Sequence, residues 1–405
     1  MNREKCLLNR PTLLAVILVF LISACAAEPV YHNPPDSSGQ DSLVTGTADQ
    51  VGNNDTALKL ESVASAHFTA VGDLLVERPI LYDAQQNDGT FQFDPLLTDV
   101  EHLIKKGQFA YANQETPITG AEFGLGDGNF VFNNPYELGH YYYQTGFNML
   151  QLANNHTLDM EFEGLKRNIA FWRDHYPDVV LSGAHLSSND REVIPIIVRN
   201  GISIAFISST YSSNLPVEFS HLVNIFSENE DELLRDVTRA NEMADLVAVG
   251  IHWGKEYEQP VKEQEQLAQK LVQNGADIIL GHHPHVLQPL EWIEGPDGQR
   301  ALVAYSLGNF ISGPFDDRVP ELDCDRLTGS MIGFDLIKVD EEVTLDSVYA
   351  IPTFTAFDED YTNYRVSPLD EIEQEDFRWC DLETHKKHVT EILSRRMDDI
   401  DVRMK

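Results

Sequence analysis

The chain has 405 residues, with 65 Asp and Glu against 29 Lys and Arg and a formal net charge of -36. A polyanion of that size repels nucleic acid, and no basic cluster interleaved with aromatic residues offsets the charge, so DNA and RNA binding are excluded as function classes. The acidity favours solubility but names no partner by itself.

Arg3, Lys5 and Arg10 precede an apolar run from Leu13 to Ile22 that closes on Ser23-Ala24-Cys25. A basic start, a short apolar stretch and small residues before a cysteine make a lipoprotein signal peptide, so residues 1–24 are expected to be removed and Cys25 to be lipidated. The run is short for a membrane span, which takes about 20 residues. An exported lipoprotein of the bacterial cell envelope, held to the membrane by its lipid anchor, is the expectation. Residues 25–64 contain Pro34, Pro35, Gly39 and Asn53-Asn54-Asp55 with Tyr31 as their only aromatic ring, and read as a flexible tether.

From residue 65 to 355, short β-branched runs alternate with amphipathic stretches, the pattern of an α/β domain. Strands are predicted at 67–71, 108–112, 147–152, 179–182, 202–208, 246–251, 277–280 and 301–306. Helices are predicted at 93–106, 161–173, 231–244 and 258–274, where apolar residues recur at three- and four-residue spacing. Strand-like stretches at 331–339 and 344–351 are expected to form a second sheet layer, and residues 356–405 an acidic extension with a surface helix near 382–395. Of four cysteines, Cys324 and Cys380 remain free to pair once Cys25 is acylated; an oxidising compartment permits the bridge, but spacing does not establish it.

Several predicted strands end in polar residues that a core does not require, and ligand sites of α/β sheets gather beyond the carboxyl ends of strands. Phe68-Thr69-Ala70-Val71-Gly72-Asp73 delivers Asp73, a metal carboxylate or a helix cap. Next come Asn113 and Glu115, on one side of an extended chain, as a solvated loop edge would also place them. Asn154-Asn155-His156 follows a third strand, with Asp159 three residues on. An amide oxygen ligates hard cations and an imidazole binds metal or transfers a proton, although a capped turn has the same composition. His252 ends a fourth strand, and Gly281-His282-His283-Pro284-His285 sets three histidines in four positions after a fifth. Clustered imidazoles repel one another when protonated, unless a cation lies between them. Tyr305-Ser306-Leu307-Gly308-Asn309-Phe310 adds Asn309, a donor to substrate oxygens or part of a plain turn.

In this order and spacing, the six motifs resemble those of the CapA family of poly-gamma-glutamate capsule synthesis proteins, over roughly residues 65–350. That family is similar to calcineurin-like metallophosphoesterases, so the resemblance implies an α/β fold: a four-layer αββα sandwich of two mixed sheets flanked by helices. It implies that Asp73, Glu115, Asn155, His252, His283 and His285 hold one or two divalent metal ions, with His156 as the proton-transferring catalytic histidine. Asn113, Asn154 and Asn309 are candidate substrate-binding residues. Two positions depart from the phosphoesterase pattern: Leu75 stands where a histidine is usual, and Glu115 replaces an aspartate. The mixed oxygen and nitrogen ligands suit Mn, Fe, Zn or Co. The expected function is metal-dependent hydrolysis in poly-gamma-glutamate or capsule biosynthesis. Two other classes stay open: a non-catalytic accessory lipoprotein that binds an anionic capsule polymer beside a membrane synthase, and a solute-binding lipoprotein, against which the strand-end histidines count.

Overall fold

The computed structural model describes residues 63–126, 131–296, 298–313, 324–378 and 380–404. The expected signal segment, Cys25 and all but the end of the expected tether lie outside the described residues. The run of small and apolar residues at Val63–Leu74 forms β1, buried along most of its length, which fits a central strand covered on both faces. On one side it pairs in parallel with β2 (Phe109–Asn113), followed by β3 (Met149–Gln151) and β4 (Val180–Ser182). On the other side it pairs antiparallel with β12 (Thr328–Val339), then β13 (Glu342–Ala356) and β14 (Arg365–Pro368). Short strands β11 (Asn309–Ile311) and β15 (Asp401–Val402) join β1 and β13. A second sheet is ordered β5 (Ile196–Arg199), β6 (Ile202–Thr210), β7 (Leu246–His252), β8 (Ile278–His282), β10 (Arg300–Ala304) and β9 (Leu290–Glu294), parallel in its centre and antiparallel at both edges.

The two-residue alternation of β7 shows how the layers stack. Leu246 and Ala248 belong to the core shared with Phe68, Tyr111 and Leu150 of the first sheet. Val247, Val249 and Ile251 pack with Leu233, Val237, Leu267 and Leu271, on helices Glu230–Asn241 and Lys262–Gln273. Helices Tyr136–Thr145 and Glu161–His175 bury Leu138, Tyr142, Ile169 and Trp172 in the core of the first sheet. Two mixed sheets flanked by helices, the expected architecture, result.

Three expectations are corrected. The stretches at 331–339 and 344–351 form no separate layer; they are β12 and β13, which widen the first sheet because β12 pairs with β1 from Val63↔Val339 to Val71↔Met331. Only Glu101–Ile104 of the predicted helix at 93–106 is helical. Ahead of it, turns such as Leu96 N–H to Phe93 C=O and Val100 N–H to Leu97 C=O satisfy the same three-residue apolar spacing. The C-terminal helix, Leu382–Ser394, is capped by Asp381 and buries Val389, Ile392 and Leu393 in the core, so it is an integral layer element and not merely a surface one. Beside it, Cys324 and Cys380 are joined in a disulfide.

Candidate metal centre

Because β1, β2, β3, β7 and β8 run parallel within their sheets, their carboxyl ends gather at one edge. Register places Asp73 opposite both Asn113 and Asn309, and His252 opposite His282. The approach there is close enough to demand glycine. A Cβ on Gly72 would overlap the Gly308 carbonyl, and one on Gly281 would overlap the Tyr305 carbonyl. Past β8 the chain turns through left-handed φ at His283 (93°) and His285 (55°), an arrangement of non-glycine residues that costs about 1–3 kcal/mol each and clusters at functional sites.

Asp73 is fully buried and surrounded by donors. Asn113 Nδ2 donates to its Oδ1 at 2.9 Å, His282 Nδ1 lies 2.6 Å from the same oxygen, and His285 Nδ1 lies 3.2 Å from Oδ2. Burial alone would raise its pKa, but His282 and His285 outweigh that and hold Asp73 well below the usual carboxylate range. Glu115 responds in the opposite sense. Burial and then the nearby charge of Asp73 push its carboxyl well up. For His285, burial opposes the charged form, yet Glu115 and Asp73 hold its pKa at about 10. Its Nε2 stands 3.5 Å from Glu115 Oε1, while its Nδ1 is 2.8 Å from Asn309 Oδ1.

Across Glu115, His252 Nε2 sits 3.8 Å from Oε1 and 2.9 Å from Asn155 Oδ1. His252 and His283 have ring centroids 4.9 Å apart. Burial, then mutual repulsion with its neighbours, pushes His252 well down and His283 to about 3. His156 stands beside this group. Its Nδ1 is 2.8 Å from Asp159 Oδ2, an oxygen that also accepts from Phe132 N at 2.8 Å, and Asn214 links it to Asn155.

Every site residue expected from the sequence, among those described, reaches this edge. Asp73, Glu115, Asn155, His252, His283 and His285 form one buried cluster, with His156 alongside. Asn113, Asn154 and Asn309 are present too, but turned inward. Asn154 Nδ2 donates to Asn113 Oδ1 at 3.2 Å and to Gln114 O at 2.9 Å, and Asn309 Nδ2 donates to Arg326 O at 2.8 Å. Sequence reasoning missed the role of His282, which backs Asp73 while its Nε2 lies 2.8 Å from Tyr111 Oη. It also missed Tyr211 and Asn214, which follow the carboxyl end of β6, where the strand-end rule could have found them; Tyr211 lies 4.5 Å from His283 by ring centroids. Alternation from Asn113 along β2 could have identified Tyr111.

The donor set suits a divalent cation. Ligand atoms of Asp73, Glu115 and His285 lie within 4.8 Å of one another. Glu115 Oε1, His252 Nδ1 and His283 Nδ1 are buried without a hydrogen-bond partner. Such orphaned groups cost about 1–3 kcal/mol each, which coordination or a second ligand would offset.

Residues 67–314 match the family model described as bacterial capsule synthesis protein PGA_cap. The chain is 30% identical over 256 residues to the PGA biosynthesis protein CapA of Bacillus subtilis, covering 62% of this chain and 64% of that one. It is 30% identical over 255 residues to the capsule biosynthesis protein CapA of Bacillus anthracis, covering 60% and 59%. The chain thus spans about six-tenths of the length of these relatives. Among solved structures, a novel phosphatase from Mycoplasma pneumoniae aligns with a TM-score of 0.45 and 16% identity, covering 73% of this chain and 96% of that one.

Proposed function

The chain belongs to the PGA_cap family of bacterial capsule synthesis proteins, and from that premise we propose that it is an envelope-anchored, metal-dependent hydrolase of capsule assembly. One observation carries the hydrolase reading: Asp73, Glu115 and His285 present donors within 4.8 Å of one another, in a buried cluster where Glu115 Oε1, His252 Nδ1 and His283 Nδ1 have no hydrogen-bond partner. Asp73, Glu115, Asn155, His252, His283 and His285 would hold one or two divalent cations of the Mn, Fe, Zn or Co type. When bound, such a cation would supply Lewis-acid polarisation of a substrate oxygen and a lowered pKa for water. His156, oriented by Asp159 through Nδ1, presents Nε2 as the proton donor to the leaving oxygen. Asn113, Asn154 and Asn309 orient Asp73, His156 and His285 through their amides; substrate contact by any of them would require these bonds to open.

The substrate proposed is an ester or amide bond at an anionic capsule polymer, with a membrane synthase as the working partner. Cys25 is the proposed lipid attachment site, on the strength of Ser23-Ala24-Cys25. Among the described residues no helix is long and apolar enough to cross a membrane. Leu75 favours a second reading, because it is buried in the core and offers no donor beside Asp73. On that reading the same cation cluster holds the end of an anionic chain without turnover. Metal analysis of full-length protein purified without chelator, followed by assays on a model phosphodiester and on poly-gamma-glutamate, separates the two. Bound metal with hydrolysis of either substrate supports the hydrolase, bound metal with polymer binding and no turnover supports the accessory role, and absence of metal binding refutes both.

A further inference from the structure

One carboxylate beside the histidine turn, Glu256, is left unused by the reading above. Ligand atoms of Glu256, His283 and His285 also lie within 4.8 Å of one another, yet Glu256 is exposed while both histidines are buried. Glu256 does not lie on a strand end. It sits in the loop after β7, between Gly254 at φ 86° and Tyr257 at φ 62°. That loop is strapped to the histidine turn by Tyr257 N, which donates to Pro284 O at 2.7 Å. Three non-glycine residues, Tyr257, His283 and His285, hold left-handed φ on the two sides of this strap. Each such residue costs free energy that the surrounding contacts must outweigh, so the juxtaposition of the two turns is built in and not a chance pose of a free loop.

Ordinary partners do not account for the position of Glu256. Its neighbour Lys255 pairs with Glu258 at 3.6 Å, and among the described residues Glu256 makes no ion pair with Lys or Arg. His283 Nδ1 is buried without a hydrogen-bond partner. An unpaired carboxylate facing two imidazoles, one of them with an orphaned nitrogen, is a donor arrangement for a borderline cation. Leu75, just past the end of β1, is buried and offers no donor, so this segment brings only Asp73 to the site.

We infer, on the strength of the metal-binding role proposed above, that Glu256 is a direct metal ligand, closing an outer cation position with His283 and His285 from the solvent side. Being exposed, it is the ligand that yields most readily, which makes the outer position the exchangeable one and the place where an anionic group of substrate would enter. Glu256→Gln keeps size and hydrogen bonding but removes the charge, and because the side chain is exposed it is expected to leave the thermal unfolding of the metal-free protein unchanged.

The test is Mn(II) titration of the full-length protein in detergent, by calorimetry and by the electron paramagnetic resonance of free Mn(II), with Co(II) visible spectra as a readout of coordination. Glu256→Gln is expected to weaken at least one binding phase by about 10- to 100-fold and to change the Co(II) spectrum. Glu256→His, which restores a donor at the same place, is expected to recover much of the affinity. Wild-type binding with an unaltered affinity and Co(II) spectrum in Glu256→Gln overturns the role of Glu256 while leaving the inner metal cluster standing. A wild-type chain that binds neither Mn(II) nor Co(II) overturns the metal-binding role itself, and the inference with it.

Discussion

Tyr111→Phe removes one oxygen from the centre of the molecule and tests whether the layer between the sheets supports the site. Tyr111 Oη donates to Gln151 Oε1 at 2.7 Å and lies 2.8 Å from His282 Nε2, whose Nδ1 is 2.6 Å from Asp73 Oδ1. Gly250 of β7 makes room for this chain, since a Cβ there would come within 2.6 Å of Tyr111 Oη. Phenylalanine keeps the ring and its edge contact with Phe206, centroids 5.6 Å apart, so no cavity opens. What is lost is the partner of two buried polar groups. At about 1–3 kcal/mol for each orphaned group, the expected destabilisation is roughly 3 kcal/mol. At roughly 2 °C per kcal/mol for a large domain, Tm should fall by about 6 °C, readable by scanning calorimetry. Freed from Tyr111, His282 also orients Asp73 less firmly, so Mn(II) affinity should drop by about 10- to 100-fold. A Tm within about 1 °C of wild type together with unchanged Mn(II) binding would refute the support role, because it would mean that the two groups lose nothing when their shared hydroxyl is removed.

Three further outcomes are expected. His156→Ala should retain bound metal while turnover falls by about 10²- to 10⁴-fold; loss of metal in this variant, by elemental analysis, would move His156 into the coordination sphere. Replacing Cys324 and Cys380 by Ser should cost about 4 kcal/mol, given the 56-residue separation they close, and urea midpoints that match the wild type would count against that figure. Burial pushes Asp277 up to about 6, although its carboxylate accepts from Val247 N at 2.8 Å. Because the folded pKa lies above the unfolded value of 3.8, its contribution is present in full below about pH 4 and is lost as pH rises through about 6. Asp277→Asn should therefore gain on the wild type by about 3 kcal/mol between pH 4 and 7, and parallel stability profiles would contradict this.

The site was legible because its residues sit where parallel strands end. Asp73, Asn155 and His252 are far apart in sequence, yet each follows an apolar run that the β-sheet rule directs to one edge. The fold was legible for the same reason, since β1, β2, β6, β7 and β8 each carry the buried β-branched or small residues of a central strand. Non-local pairing was not legible. That β12 lies beside β1 depends on contacts across more than 250 residues, and the local pattern at 331–339 is equally that of a separate layer. Helix Tyr136–Thr145 was passed over although Pro135 precedes it and Gly146, at φ 113°, ends it; the five aromatic or histidine side chains from Tyr136 to Tyr143 obscured the helical period.

Within the histidine cluster, sequence order gives the residue types but not the directions of the rings. His282 is the last residue of β8 and points between the sheets to Tyr111 and Asp73, whereas His283 leaves the strand at φ 93° and turns toward His252 and Tyr211. One backbone angle thus separates a histidine that orients a carboxylate from one that shares the donor cluster. A β-branched residue at 283 would resist that angle, and a histidine at 282 without Tyr111 would lack the partner for its Nε2. The consequence is directional: β8 sets the inner carboxylate through His282, while the strained turn behind it presents His283 and His285 to whatever enters from the solvent side.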